Sequence, residues 1–308
     1  MIKDDFAYRK EVYEQFAHAA NAENIRWCVL HGIEGYPNSI GRDLDITCDT
    51  KAEGERLINI YRGIVDNHPR TKKMVIPSPI WGDRVLGISN SLDVAELHLI
   101  RPVRSAFISF KSDFNDINLV ENTFPVSEFL SFSKSAVMPA MVNQKWRHKI
   151  TGMPEKKHIP AWLIPAYQHM YNNDVLSKRI KLGVLVRFAA LHPLKTLNNS
   201  YYWVLRKTQL DKYPTTPLVF LDCSDSGEVF RKNISCKMGK IFLKVICGDS
   251  LTNKQIRIHQ GRQQLVYITQ KRKSVDVELN EKNRADWVEM LLSSFSFVNK
   301  KWNTEHEQ

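Results

Sequence analysis

Two carboxylates stand one residue apart in Asp43-Leu44-Asp45-Ile46. The run alternates polar and apolar residues, the period of a half-buried β-strand, in which residues i and i+2 point to the same face. Asp43 and Asp45 therefore converge on one side, while Leu44 and Ile46 turn to the core. Carboxylates held side by side repel, and each raises the other's pKa unless a cation lies between them. Hard oxygen ligands of this kind suit Mg²⁺, which takes one or two protein carboxylates and leaves positions for substrate phosphates. Phosphoryl or nucleotidyl transfer is the chemistry such a pair serves. A solvated turn or a structural calcium site uses the same dipeptide, so the surrounding elements must decide.

Upstream, Ile25–Leu30 reads as a buried strand running into His31-Gly32, and a glycine there lets backbone approach a ligand closely. Residues 33–41 carry Gly35, Pro37 and Gly41 and read as a turn-rich loop. The second strand, Asp43–Cys48, carries the aspartates, and Lys51–Asn67 follows as a helix with Ala52, Leu57, Ile58, Ile60, Tyr61 and Ile64 clustered on one face. Residues 5–22 form an earlier helix, with Phe6, Val12, Phe16, Ala19 and Ala20 as its apolar stripe. Short strands are expected around Met74–Pro77 and Arg84–Ile88, then at Asp93–Ile100 and Ala106–Phe110.

Strand, glycine, loop, strand with Asp-x-Asp resembles the nucleotidyltransferase superfamily, the fold of DNA polymerase beta and the aminoglycoside nucleotidyltransferases. Leu30-His31-Gly32-Ile33-Glu34, then Pro37, then Gly41-Arg42-Asp43-Leu44-Asp45 match a subgroup often linked to surface-polysaccharide biosynthesis. The likeness covers residues 20–110. Where many members place Gly or Ser against the triphosphate, this chain has Ile33. The resemblance implies a third carboxylate on a later strand, as general base or to complete metal binding. Glu96 is preferred, because it sits inside an apolar run where an unpaired charge is costly, and it shares a strand face with His98. Asp93 is the rival, Asp being the commoner type at this family position.

The chain has 308 residues, of which 43% are hydrophobic, enough to bury a substantial core. It contains no run of eighteen apolar residues, and Met1–Phe6 shows no signal-peptide pattern. Five scattered cysteines argue against a disulfide framework and against a zinc site. Together these features set the expectation of a cytoplasmic protein without a membrane-spanning segment. The net charge of +11 is uneven: residues 1–140 hold 16 Lys and Arg against 19 Asp and Glu, and residues 141–308 hold 28 against 14. A basic half attracts nucleic acid, nucleotides or anionic lipid, or is simply a solvated basic face.

Three regions are expected: a nucleotidyltransferase-like core over 1–120, a helical region over 121–210, and a small β-rich basic domain with a terminal helix over 211–308. Pro125, Pro139, Pro154 and Pro160 break up the start of the middle region. Its basic cluster Asn143–Lys149 holds Trp146, placed either to stack a base or to pack inward. Leu182, Leu185, Val186, Phe188 and Leu191 suggest an apolar helical stripe further on. In the last region, strands are expected at Lys240–Cys247, Gln255–His259, Gln264–Thr269 and Val275–Leu279, and a helix at Lys282–Phe297. Pro217–Glu228 echoes a phosphate-binding loop of the kind fused to related nucleotidyltransferases. It has Asp222 where the loop glycine belongs, Glu228 for the phosphate lysine and Val229 for the Mg²⁺-binding hydroxyl, so no working kinase site is expected.

The combined expectation is a mixed α/β fold and a Mg²⁺-dependent transfer of a nucleoside monophosphate from a nucleoside triphosphate to an acceptor. Asp43 and Asp45 would hold two Mg²⁺ ions, with Glu96 or Asp93 completing the catalytic set. Gly32 and Gly41 would cradle the triphosphate, with His31, Glu34 and Arg42 beside it; His31 has the alternative of capping its strand, and Arg42 of forming a structural salt bridge. The acceptor is left open between a sugar or sugar phosphate and RNA, the latter as in toxin-like enzymes that modify tRNA. A catalytically silent nucleotide- or nucleic-acid-binding protein is the rival from another class.

Overall fold

The structure, a computed structural model, describes residues 6–33, 35–76, 83–100, 103–105, 108–110, 114, 117–127, 161, 163–164, 168, 178–208, 216–222, 227–238, 241, 244–262, 264–270 and 274–294. The chain gathers into two compact units. One consists of Met1–Val12, Arg62–Glu96 and Arg206–Gln308, and the other of Tyr13–Tyr61 and Leu97–Leu205.

The second unit carries the aspartate strand. Strand β1 (Trp27–His31) pairs antiparallel with β2 (Asp43–Cys48), Trp27 opposite Cys48 and Val29 opposite Ile46. A third strand, β9 (Phe124–Ser127), lies parallel to β1, and β8 (Ile117–Val120) pairs antiparallel with it. On the other side of β2 runs the Leu97–Leu99 end of β5 (Val94–Leu99), and Ile100 N donates to Ile46 O over 2.8 Å. Strands β6 (Val103–Ser105) and β7 (Ile108–Phe110) pair antiparallel in a separate two-stranded sheet.

Two helices contribute buried apolar residues. Helix α1 (Phe6–Ala22) buries Tyr8, Val12, Phe16 and Ala20, spaced by four, together with Tyr13 and Ala17. Phe16 meets Trp27 and Tyr61 edge-on, with ring centroids 5.1 and 5.5 Å apart. Helix α2 (Lys51–Asn67) has the bounds read from the sequence and buries Gly54, Leu57, Tyr61 and Val65. Its first turn is tied by a reciprocal cap: Glu53 N donates to Thr50 Oγ1, and Thr50 N donates to Glu53 Oε2. Gly54 is required by packing, since a Cβ there would lie 2.8 Å from Leu99 Cδ2 and 3.2 Å from Cys48 Sγ.

The middle of the chain contributes α3 (Lys178–Leu191) and α4 (Pro193–Thr208) to the described residues. The apolar stripe expected on α3 is only partly the buried one. Val184 and Phe188 are buried, whereas Leu182, Val186 and Leu191 are exposed. The basic cluster Asn143–Lys149 lies outside the described residues.

In the first unit, β3 (Thr71–Val75) and β4 (Asp83–Ser89) pair antiparallel, and β5 begins beside β4. The C-terminal part of this unit alternates strands and helices: β10 (Leu218–Asp222), α5 (Gly227–Met238), β11 (Val245–Cys247), α6 (Asn253–Gly261), β12 (Leu265–Ile268), β13 (Val277–Asn280) and, after a 3₁₀ turn at Glu281–Asp286, α7 (Trp287–Ser293). Its four strands are parallel, in the order β11-β12-β10-β13. Parallel neighbours need crossover helices, and α5 and α6 supply them. Phe230, Ile234, Leu265, Val277, Leu279 and Trp287 belong to one buried cluster with Leu86, Ile88 and Val94.

The mixed α/β class expected from the sequence is what forms. Particular elements differ: strand β9 opens the region expected to be helical, helices α5 and α6 lie in the region expected to be β-rich, and Gln255–His259, read as a strand from its alternation, lies in α6. Thr252 and Gln255 make a capping box, and Ile256 and Gln260, four apart, are its buried residues. Helical spacing and the cap override a five-residue alternation. The loop at 223–226, centre of the phosphate-loop echo, lies outside the described residues. No described helix is long and apolar enough to cross a membrane.

Candidate active site on the aspartate strand

Strand β1 ends at His31, and Gly32 then takes φ of +112°, a conformation that disfavours any side chain. A Cβ at Gly32 would lie 2.2 Å from the Asp43 carbonyl oxygen. Gly41 N donates to Gly32 O over 2.6 Å, and a Cβ at Gly41 would lie 3.0 Å from the same oxygen. The loop thus closes on its own start and delivers Arg42-Asp43 beside Gly32. The glycine expected to admit a ligand is required first by this backbone-on-backbone contact.

Aromatic residues fix the loop from outside. Tyr13 on α1 donates its hydroxyl to Arg42 O. Tyr36 donates to Glu14 Oε1 and meets Phe124 edge-on at 5.0 Å. Burial pushes the Tyr36 phenol up, and the bond to Glu14 adds to the shift. Ile33 is buried, so its side chain goes to the core. Glu34 lies outside the described residues, and Arg42 is half-buried.

The two aspartates are not equivalent. Asp43, the first residue of β2, is half-buried, whereas Asp45 is 6% exposed. The residues between and after them, Leu44 and Ile46, are fully buried as the alternation requires. The register sets His31 of β1 opposite Asp45 after an irregularity between Val29 and His31, and opposed residues share a sheet face. On the other flank, His98 Nδ1 lies 2.9 Å from Asp45 Oδ1. A carboxylate only accepts, so this nitrogen is the one that carries hydrogen. Asp45 therefore lies between two histidine-bearing strands, and His98 bonds it directly.

The two candidates for the third carboxylate both have arginine partners. Glu96 is 1% exposed, and Arg84 donates both Nε, over 2.6 Å, and Nη2 to its Oε1. Asp93 is 2% exposed, with Arg9 Nε 2.9 Å from its Oδ2, and its backbone N donates to Ser89 Oγ. Each pairing gives a buried charge a structural reason to exist. His98, which the sequence placed only as a neighbour of Glu96, is the residue brought to Asp45.

Among the described residues, no group of three His, Cys, Asp or Glu side chains is arranged to hold a metal. Mg²⁺ does not require three, since it binds through one or two carboxylates plus water and phosphate oxygens. Asp43 and Asp45, hard oxygen donors two apart on one strand face, fit that demand. No family model matches the chain, and neither a curated protein nor a solved structure does.

Proposed function

We propose that the chain is a nucleotidyltransferase that passes a nucleoside monophosphate from a nucleoside triphosphate to an acceptor hydroxyl or phosphate. The observation that carries the reading is the joint geometry at Gly32, Gly41 and Asp43-x-Asp45. A tight glycine turn abuts the first residue of a strand that presents two carboxylates on one face. The resemblance noted in the sequence points the same way.

Asp43 and Asp45 would hold Mg²⁺, whose charge offsets the triphosphate and the pentacovalent transition state. Half-buried Asp43 meets solvent and substrate, while the more buried Asp45 is held by His98. Arg42, whose backbone carbonyl accepts from Tyr13, would neutralise phosphate charge in this reading. The acceptor oxygen bonds to the α-phosphorus as the bond to the β-phosphate oxygen breaks, and pyrophosphate leaves. Glu96 and Asp93 are the carboxylates to test for taking the acceptor's proton.

Two acceptor classes are weighed. The basic composition of residues 141–308 suits RNA, and the resemblance alone suggests a sugar or sugar phosphate. Steeply salt-dependent RNA binding favours RNA, and turnover on sugar phosphates without RNA favours the sugar. The test of the reading is Mg²⁺-dependent turnover of α-labelled ATP, CTP, GTP and UTP by wild type and by the Asp43→Ala/Asp45→Ala variant. Label transfer or pyrophosphate release by wild type alone is expected. Equal failure of both proteins to bind any triphosphate overturns the reading and favours the silent binding protein.

A further inference from the structure

We infer that His98 is a positioning residue for the metal-holding carboxylate: its Nδ1–H grips Oδ1 of Asp45 and so fixes the carboxylate orientation in which Asp45 binds a divalent cation. The inference rests on the proposed nucleotidyltransferase reading and adds to it a residue outside the aspartate motif.

Three observations carry it. First, the contact is a 2.9 Å hydrogen bond between strands, linking residues 53 apart in sequence, so it is built by the sheet register and not by a local turn. Second, the Asp45 side chain is 8% exposed and that of His98 23%, which places the bond at the margin of the core. A carboxylate there requires a donor, and the ring N–H of His98 satisfies one of its oxygens. Third, the neighbouring strands hold Asp45 on both sides: His31 stands opposite it in register, and Leu44 and Ile46 are fully buried around it. The strand cannot rotate to re-aim the carboxylate, so the side-chain torsion is what His98 sets.

Outer partners that orient a metal-binding side chain are typically worth about 10–100-fold in metal affinity. The probe is Mn²⁺ alone, read by its electron paramagnetic resonance signal on the full chain, which needs no acceptor and no turnover. Four proteins are compared: wild type, Asp43→Ala/Asp45→Ala, His98→Ala and His98→Asn. Asn is chosen because its amide N–H can occupy the place of the imidazole Nδ1–H. The expected result is Mn²⁺ affinity about 10–100-fold weaker in His98→Ala, returning to within about threefold of wild type in His98→Asn. Wild-type affinity in His98→Ala, alongside its loss in Asp43→Ala/Asp45→Ala, overturns the positioning role and leaves the metal site standing. Equal weakness of His98→Asn and His98→Ala, with thermal midpoints matching wild type, also overturns it, because the donated hydrogen bond then does not matter. If wild type itself binds Mn²⁺ no better than Asp43→Ala/Asp45→Ala, the underlying reading fails, a pattern distinct from the other two.

Discussion

Arg84 and Glu96 face each other across neighbouring strands β4 and β5, with the guanidinium Nε 2.6 Å from a carboxylate oxygen that is almost wholly removed from water. The side chains are 14% and 2% exposed, so neither charge is well served by solvent. Attraction between such charges roughly offsets the desolvation of both, and losing one partner leaves the other stranded.

Glu96→Ala is therefore expected to lower the unfolding free energy by about 3–5 kcal/mol. Arg84→Met/Glu96→Met should recover most of that loss, because replacing both members of a buried pair by apolar groups is often neutral. Urea unfolding of the wild type, the single variant and the double variant reads this directly. If the double variant is as unstable as the single one, the pair is not the reason for the burial of Glu96. A catalytic duty for this carboxylate then becomes the stronger account.

Gly32 and Gly63 make opposite predictions for the same substitution. Gly32→Ala forces a Cβ to within 2.2 Å of the Asp43 carbonyl at φ of +112°. Strained backbone alone costs about 1–3 kcal/mol, and the overlap must also displace the first residue of β2. Gly63 sits on α2, and a Cβ added there would meet nothing within 4 Å, so Gly63→Ala should stabilise by about 0.5–1 kcal/mol. Thermal melts of both variants check the signs, and triphosphate binding should fall only in Gly32→Ala.

What was legible in the sequence is what local patterns determine. Alternation placed Asp43–Cys48 on a strand and turned Leu44 and Ile46 inward, and a 3.6-residue stripe gave α2 its bounds. Register and long-range pairing were not legible. Nothing within a few residues of His98 announces Asp45, and nothing near Glu96 announces Arg84 twelve positions earlier. The short alternation at Gln255–His259 reads equally as strand or helix until Thr252 and Gln255 cap it. On α3, two apolar stripes compete, and the packing selects Val184 and Phe188 over Leu182 and Val186.

The helix caps offer a test of local energetics away from the site. Thr50 and Glu53 close the start of α2 reciprocally, and Thr252 and Gln255 do the same for α6. Thr50→Ala and Thr252→Ala should each cost about 1 kcal/mol, the usual worth of such a cap. A change near zero in the urea midpoint would mean that tertiary packing alone sets these helix starts.

Asp249 provides the acid limit of the C-terminal sheet. It follows β11 and gathers donors from the end of β12: Oδ1 accepts from Thr269 N over 2.8 Å and from Gln270 N, and Oδ2 accepts from the Thr269 hydroxyl and the Cys247 thiol. Partial burial alone would raise its pKa, but these hydrogen bonds outweigh it and hold the carboxyl below its ordinary value of 3.8. A depressed native pKa means the unfolded chain binds the proton more readily. The stabilisation is therefore present in full above 3.8 and is lost as pH falls through the native value. Asp249→Asn removes the ionisation while keeping the shape, so it should destabilise at neutral pH and show a smaller further loss on acidification than wild type. Urea midpoints measured for both proteins from neutral pH to below 3.8 decide the point. Parallel curves would show that the ties at Thr269 do not depend on the charge of Asp249.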